Sequence, residues 1–133
     1  MDFSWDEYLL VARRLASGAG GEADWRSAVS RAYYATYHCA CSAMEDEDPT
    51  KYAVIRGEKG RHYLVWDWFM KHPKRAFHSA GTNGDDLRRK RTDADYHADL
   101  SVRLSDASTA IGLAERVFKA LNRPVPLDSV SAD

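Results

Sequence analysis

Ala107, Ala110, Ile111, Ala114, Val117, Phe118 and Leu121 lie at helical steps of three and four. That period fits one face of an α-helix and neither face of a β-strand. It predicts a helix beginning at Ser105 or Asp106, running through Leu121 and stopped by Pro124 and Pro126. The rest of the chain shows no strand-like alternation, no internal repeat and no low-complexity tract. These patterns restrict the fold class to all-α, a bundle of about four main helices with one interrupted.

The other helical signals are less regular. Ser4-Trp5-Asp6-Glu7 reads as a capping box, and Leu9, Ala12, Leu15 and Ala16 share a face, so a first helix is expected over 5–17, ending in Gly18. A second is expected over about 22–44. Trp25, Ala28, Ala32, Ala35 and Cys39 form a small-residue stripe that lets a neighbour approach closely, beside an aromatic stripe of Tyr33 and Tyr37. A third, more polar stripe holds Arg31, Tyr34, His38 and Cys41. The acidic run ending in Pro49, residues 45–50, reads as a loop. Residues 63–70 are apolar almost all round, as in a helix buried on several sides or lent to another subunit, and Pro73 breaks it. The Ser/Gly/Thr/Asn stretch 79–84 reads as a flexible turn, after which Asp85 and Asp86 restart a helix. One helical domain over 1–123 followed by a flexible tail over 124–133 is expected.

Bulk properties exclude several classes. The chain has 133 residues, 44% of them hydrophobic and 29% charged, enough for one core. No apolar run approaches the roughly 20 residues of a membrane span, and the N-terminus lacks a secretory signal, so a cytoplasmic protein without a membrane partner is expected. Cys39 and Cys41 would lie about 200° apart on a helix, with too few ligand partners for a metal site, so they read as small buried side chains. The net charge of −1 hides an asymmetry. Residues 51–91 carry eleven basic and four acidic side chains, a local net of +7, compatible with a polyanion partner or with internal balance.

The stretch "LRRKRTDADYH", Leu87 to His97, concentrates that charge. On a helix Arg89, Asp93 and Tyr96 would share a face, and Asp93 would neighbour His97. Arg91 and His97 would sit about 120° apart. They could act on one phosphate only if the helix ended or bent near Asp93 and Ala94, or if one of them came from another subunit. Imidazole can move a proton near neutrality, and arginine can hold a phosphate and stabilise its growing charge. Three Arg/His pairs have such spacing: Arg31/His38, Arg56/His62 and Arg91/His97. Spacing alone does not choose among them. No Walker loop, zinc-ligand set or nucleophile elbow is present, and neither a metal nor a cofactor is expected.

Two separated motifs add context. "SRAYYA", Ser30 to Ala35, followed by Leu87-Arg88 through Arg91 to Ala94-Asp95-Tyr96 ahead of a terminal amphipathic helix, resembles the HEPN family. The resemblance spans roughly 25–121. It implies an antiparallel up-and-down bundle of four to five helices that pairs into a homodimer. It also implies a metal-independent endoribonuclease, the toxin-like half of a toxin–antitoxin or defence system. In that reading Arg91 binds and polarises an RNA phosphate and His97 transfers a proton. Arg88, Arg89, Lys90 and Thr92 contribute phosphate or RNA contacts. Asp93, Asp95, Arg31, Tyr34 and His38 line the cleft. The family's nucleases commonly carry Asn, Asp or His after the arginine, where this chain has Thr92.

The chain also resembles a related family pattern, Arg-x(4)-Ala-x-Tyr, through Arg89, Ala94 and Tyr96. This implies a non-catalytic module that binds nucleotide or a minimal nucleotidyltransferase partner, with Tyr96 as the residue that accepts AMP. An inert dimeric scaffold is the third expectation.

Overall fold

The computed structural model describes residues 2–127, and its regular structure is helical throughout. Among the described residues there are six helices: α1 (Glu7–Leu15), α2 (Glu22–Glu47), α3 (Pro49–Ile55), α4 (Arg61–Lys71), α5 (Arg75–Tyr96) and α6 (Leu104–Ala120). Of the tail expected over 124–133, residues 128–133 lie outside the described residues.

The centre is α2, which packs on α1, α5 and α6 and touches α3 and α4. Its small stripe explains this role: Ala28, Ala32, Ala35 and Cys39 are buried, as are Tyr33 and Tyr37 beside them. Small side chains let three helices close on one axis, and the tyrosines fill the space left over. The amphipathic face expected near the C-terminus is the inner face of α6, with Ala107, Ala110, Ala114, Val117 and Phe118 fully buried. The helix ends before the prolines: Asn122 adopts a left-handed φ of 56°. Arg123 N–H then donates back to Phe118 O at 2.9 Å, closing a Schellman-type cap.

Four local expectations are corrected. First, α1 begins at Glu7 with no side-chain cap, and it ends at Ala16 rather than through Gly18. Second, residues 45–50 are not a loop. α2 runs to Glu47, and Asp48 caps α3 by accepting Lys51 N–H at 3.1 Å, with Pro49 in the first helical turn. Proline is at home there because that N–H has no helical partner in any case.

Third, 79–84 is not a turn. α5 runs unbroken through it because its glycines face α4. A Cβ on Gly81 would sit 2.5 Å from Met70 N, and one on Gly84 would sit 2.2 Å from the Trp66 ring. Each glycine costs helix propensity, about 1 kcal/mol against alanine, but close contact with the fully buried Trp66 and Phe69 offsets it. Fourth, α4 is less uniformly buried than its apolar run implies: Val65, Trp66 and Phe69 are buried, Leu64, Trp68 and Met70 are half-buried against the core, and Tyr63 is exposed. His72 is extended as the residue before Pro73 must be, so α4 stops there. The start of the tail is docked: Val125 packs on the core, and Pro126 O accepts Arg13 Nη1–H at 2.5 Å.

Among the described residues no helix is long and apolar enough to cross a membrane. Both cysteines are free and buried, and burial pushes the Cys39 thiol up to about 12. Such a thiol is inert at neutral pH.

Candidate functional site at the end of α5

The four consecutive basic residues 88–91 in the second half of α5 are each already matched to a carboxylate. Arg88 Nε lies 2.8 Å and Arg89 Nε 3.9 Å from Asp85, and Lys90 Nζ lies 3.9 Å from Asp86. Arg91 Nε lies 2.8 Å from Asp95. The contact falls off the N–H direction, so it is an ion pair rather than an aligned hydrogen bond. Three- and four-residue spacings on one helix produce this pattern, so most of the basic run is balanced within the element. Arg89 is the most exposed of the four, its side chain 65% open. Thr92 turns its hydroxyl back to Arg88 O at 3.1 Å.

Arg91 is different. Its side chain is only 18% exposed. Nη2 donates to the Tyr34 hydroxyl at 2.5 Å, and the guanidinium lies 5.0 Å from the Tyr34 ring centre and 5.4 Å from that of Tyr96. Ser30 Oγ holds Asp95 Oδ2 at 3.2 Å. Ser30 and Tyr34 are on α2, within the "SRAYYA" stretch. The two quoted motifs therefore meet in space, through Ser30–Asp95 and Tyr34–Arg91.

Arg91 and His97 do not meet within the chain. The expected bend near Asp93 and Ala94 does not occur: α5 continues to Tyr96, and His97 is its C-cap. Arg91 turns toward α2, whereas His97 Nε2 faces Asp93 Oδ1 at 3.8 Å, with 49% of its side chain exposed. Tyr96, 68% exposed, lies over Arg91 rather than pairing with Arg89. Arg31 lies elsewhere, 4.8 Å from the Tyr8 ring centre in an aromatic patch against α1 and the N-terminal segment. His38 stacks on Trp5 at 4.0 Å and also lines a cleft shared with Tyr34.

The sequence reading missed the groups that end α5. Arg26, on α2, donates through Nη1 to Ala94 O at 2.9 Å and His97 O at 3.2 Å, and through Nη2 to Leu100 O. Ala94 O and Leu100 O find no other partner among the described residues, while His97 O also accepts Leu100 N–H at 3.1 Å; a guanidinium suits the negative end of the dipole. Glu22 fixes Arg26 at 2.9 Å and also accepts Val102 N–H at 3.2 Å. The Val102 N–H first, and then Arg26, hold the Glu22 carboxyl below its usual range. The Glu22/Arg26 spacing was visible as an i,i+4 pair, but its targets on α5 were not.

The chemistry available here is phosphate binding by a partly buried arginine, with an exposed phenol and an exposed imidazole beside the same helix end. Among the described residues no group of three His, Cys, Asp or Glu side chains is placed to hold a metal. Compared with protein-family models, with curated proteins and with solved structures, the chain finds no match in any of the three.

Proposed function

We propose that the protein is an RNA-binding domain of the HEPN type, an up-and-down bundle acting as a cytoplasmic homodimer, that cleaves RNA without a metal as the toxin-like member of a two-component system. The observation that carries this reading is the meeting of the two motifs: Tyr34 of "SRAYYA" holds Arg91, beside Tyr96 and His97 at a helix end fastened by Arg26. The two catalytic groups stay apart in one protomer, so the reading requires Arg91 of one subunit and His97 of the other at a shared cleft.

There the RNA 2′-hydroxyl would attack the adjacent phosphorus, the bond to the 5′-oxygen would break, and a 2′,3′-cyclic phosphate and a 5′-hydroxyl would form. His97 carries the proton, and Arg91 neutralises the charge growing on the phosphate. Asp95 competes with phosphate for Arg91, so Asp95→Asn should tighten RNA binding. With chelator present, wild type should cleave RNA and His97→Ala should lose activity by about 10²-fold or more. Equal cleavage by both proteins, or none by either, would sink the mechanism.

A second reading has its own support in the exposure of Tyr96. Here the bundle is a non-catalytic module beside a minimal nucleotidyltransferase. The Tyr96 oxygen attacks the α-phosphorus of ATP in the partner's active site, pyrophosphate leaves, and the tyrosine retains AMP. Mass spectrometry after co-expression with such an enzyme tests it. An unmodified Tyr96 together with no complex counts against it.

A further inference from the structure

Of the three Arg/His pairs, Arg56/His62 is the one whose members line a common cavity within a protomer. Arg56 follows α3 and His62 lies in the first turn of α4, and both face a cleft of about 440 Å³ against α2. Tyr34, Tyr52 and Arg61 share its walls, and no carboxylate lines it. Glu45 acts on Tyr52 through space without lining the cleft. Arg56 and Arg61 are both exposed, and among the described residues neither makes an ion pair or a side-chain hydrogen bond. The contrast with the basic run 88–91 of α5, where each of the four cations is matched, is direct.

Hydrogen bonds hold the His62 ring. The Trp66 indole can only donate, and its Nε1–H gives to the Tyr33 hydroxyl oxygen at 3.1 Å. The Tyr33 hydroxyl in turn pairs with His62 Nδ1, 2.8 Å away. When that hydroxyl donates, Nδ1 accepts and the neutral ring carries its proton on Nε2; the neutral ring has one N–H in either tautomer. Tyr37, stacked on His62 at 3.9 Å and 8°, holds the ring plane. Burial, helped by Arg61 and Arg91, keeps the ring neutral at ordinary pH. The cleft thus offers two guanidinium groups, an imidazole N–H and tyrosine hydroxyls. This is a set of donors, with nothing to repel an anion.

We propose that this cleft binds the phosphate of a nucleotide, and that in RNA it holds the phosphodiester next along the strand from Arg91. The two positions share a wall, because the Tyr34 hydroxyl that accepts from Arg91 belongs to a side chain lining the cleft. The RNA part rests on the proposed function. The phosphate site itself does not.

The full chain can be titrated with AMP and, separately, with a short single-stranded RNA, following the His62 ring signals by NMR. Both ligands should move them. Arg56→Glu and Arg61→Glu should each weaken that response by about tenfold or more, the loss of one charge-assisted contact, while His97→Ala leaves the AMP response unchanged. Because both arginines are exposed and uncontacted, these variants should keep the wild-type circular dichroism.

If AMP moves His62 and RNA does not bind, the phosphate site stands and the RNA reading falls. If AMP moves His62 while RNA binds and leaves it unmoved, or binds regardless of both substitutions, the adjacent-phosphodiester part falls and the phosphate site and the RNA reading stand. Silence of His62 toward both ligands overturns the phosphate site.

Discussion

The first half of α5, from Arg75 to Gly84, is pressed into α4 by two glycines, while the second half, from Asp85 to Tyr96, displays a ladder of ion pairs and ends under the guanidinium of Arg26. One helix serves two purposes. Its first half is fixed by shape, since a Trp66 ring sits where a side chain would be. Its second half is fixed by charge, mostly within the helix, except at Arg91 and at the terminus, where α2 takes over. Shape constraints tolerate no added atom, whereas surface charges tolerate many changes. The two halves should therefore respond to mutation very differently.

The largest effect is expected at the seam. Gly84→Ala should destabilise the protein by about 3 kcal/mol, measured by urea unfolding, because the Trp66 ring must shift. Gly112→Ala, in α6 with nothing near its added Cβ, should instead stabilise by about 0.5–1 kcal/mol. Similar outcomes at the two glycines would erase the distinction between a seam fixed by shape and an ordinary helix position.

Next comes the terminus. Arg26→Ala leaves the Ala94 and Leu100 carbonyls without their donor, so a loss of about 2 kcal/mol is expected. Hydrogen exchange should quicken over 94–102 and stay unchanged at the α4 seam. Uniform acceleration would mean that the two halves are not separable.

The third prediction extends the seam to the cleft through the Trp66–Tyr33–His62 chain. Burial, with Arg61 and Arg91, pushes the His62 pKa down from 6.5 to about 4. Between these values the unfolded chain binds a proton that the native ring refuses. The contribution is therefore fully present above about pH 6.5 and is lost as pH falls toward 4. His62→Gln should flatten that part of the melting-temperature profile. A wild-type slope surviving the substitution would assign it to other groups.

The smallest effect belongs to the charged half. Arg89→Ala should change stability by no more than about 0.5 kcal/mol, because its pair with Asp85 is long and exposed. A larger loss would show that the ladder contributes as a network.

Legibility followed the range of the interactions. α6 was readable within one or two residues at its start because burial of a single face leaves a 3.6-residue period in the sequence. The stripes of α2 were readable for the same reason. Residues 79–84 misled because glycine, serine and asparagine favour turns locally, and only the approach of α4 makes glycine the right residue inside a helix. At the candidate site, helical angles set Arg91 and His97 about 120° apart on a straight helix, and because α5 runs unbroken to Tyr96 they stay apart. The hold of Tyr34 on Arg91 and the grip of Arg26 on α5 were not visible, since each joins residues more than fifty positions apart.

The sequence by itself determined an all-helical chain, the buried faces of α2 and α6, and the concentration of basic charge in residues 88–91. Each depends on neighbours within one or two helical turns. Only the tertiary structure decided that α5 is one helix, that it ends at Tyr96 under Arg26, and that Arg56 and His62 share a cleft. Those outcomes depend on which helices lie against each other, and that is settled by the volumes of Trp66 and the glycines facing it and by the partners that buried polar groups must find.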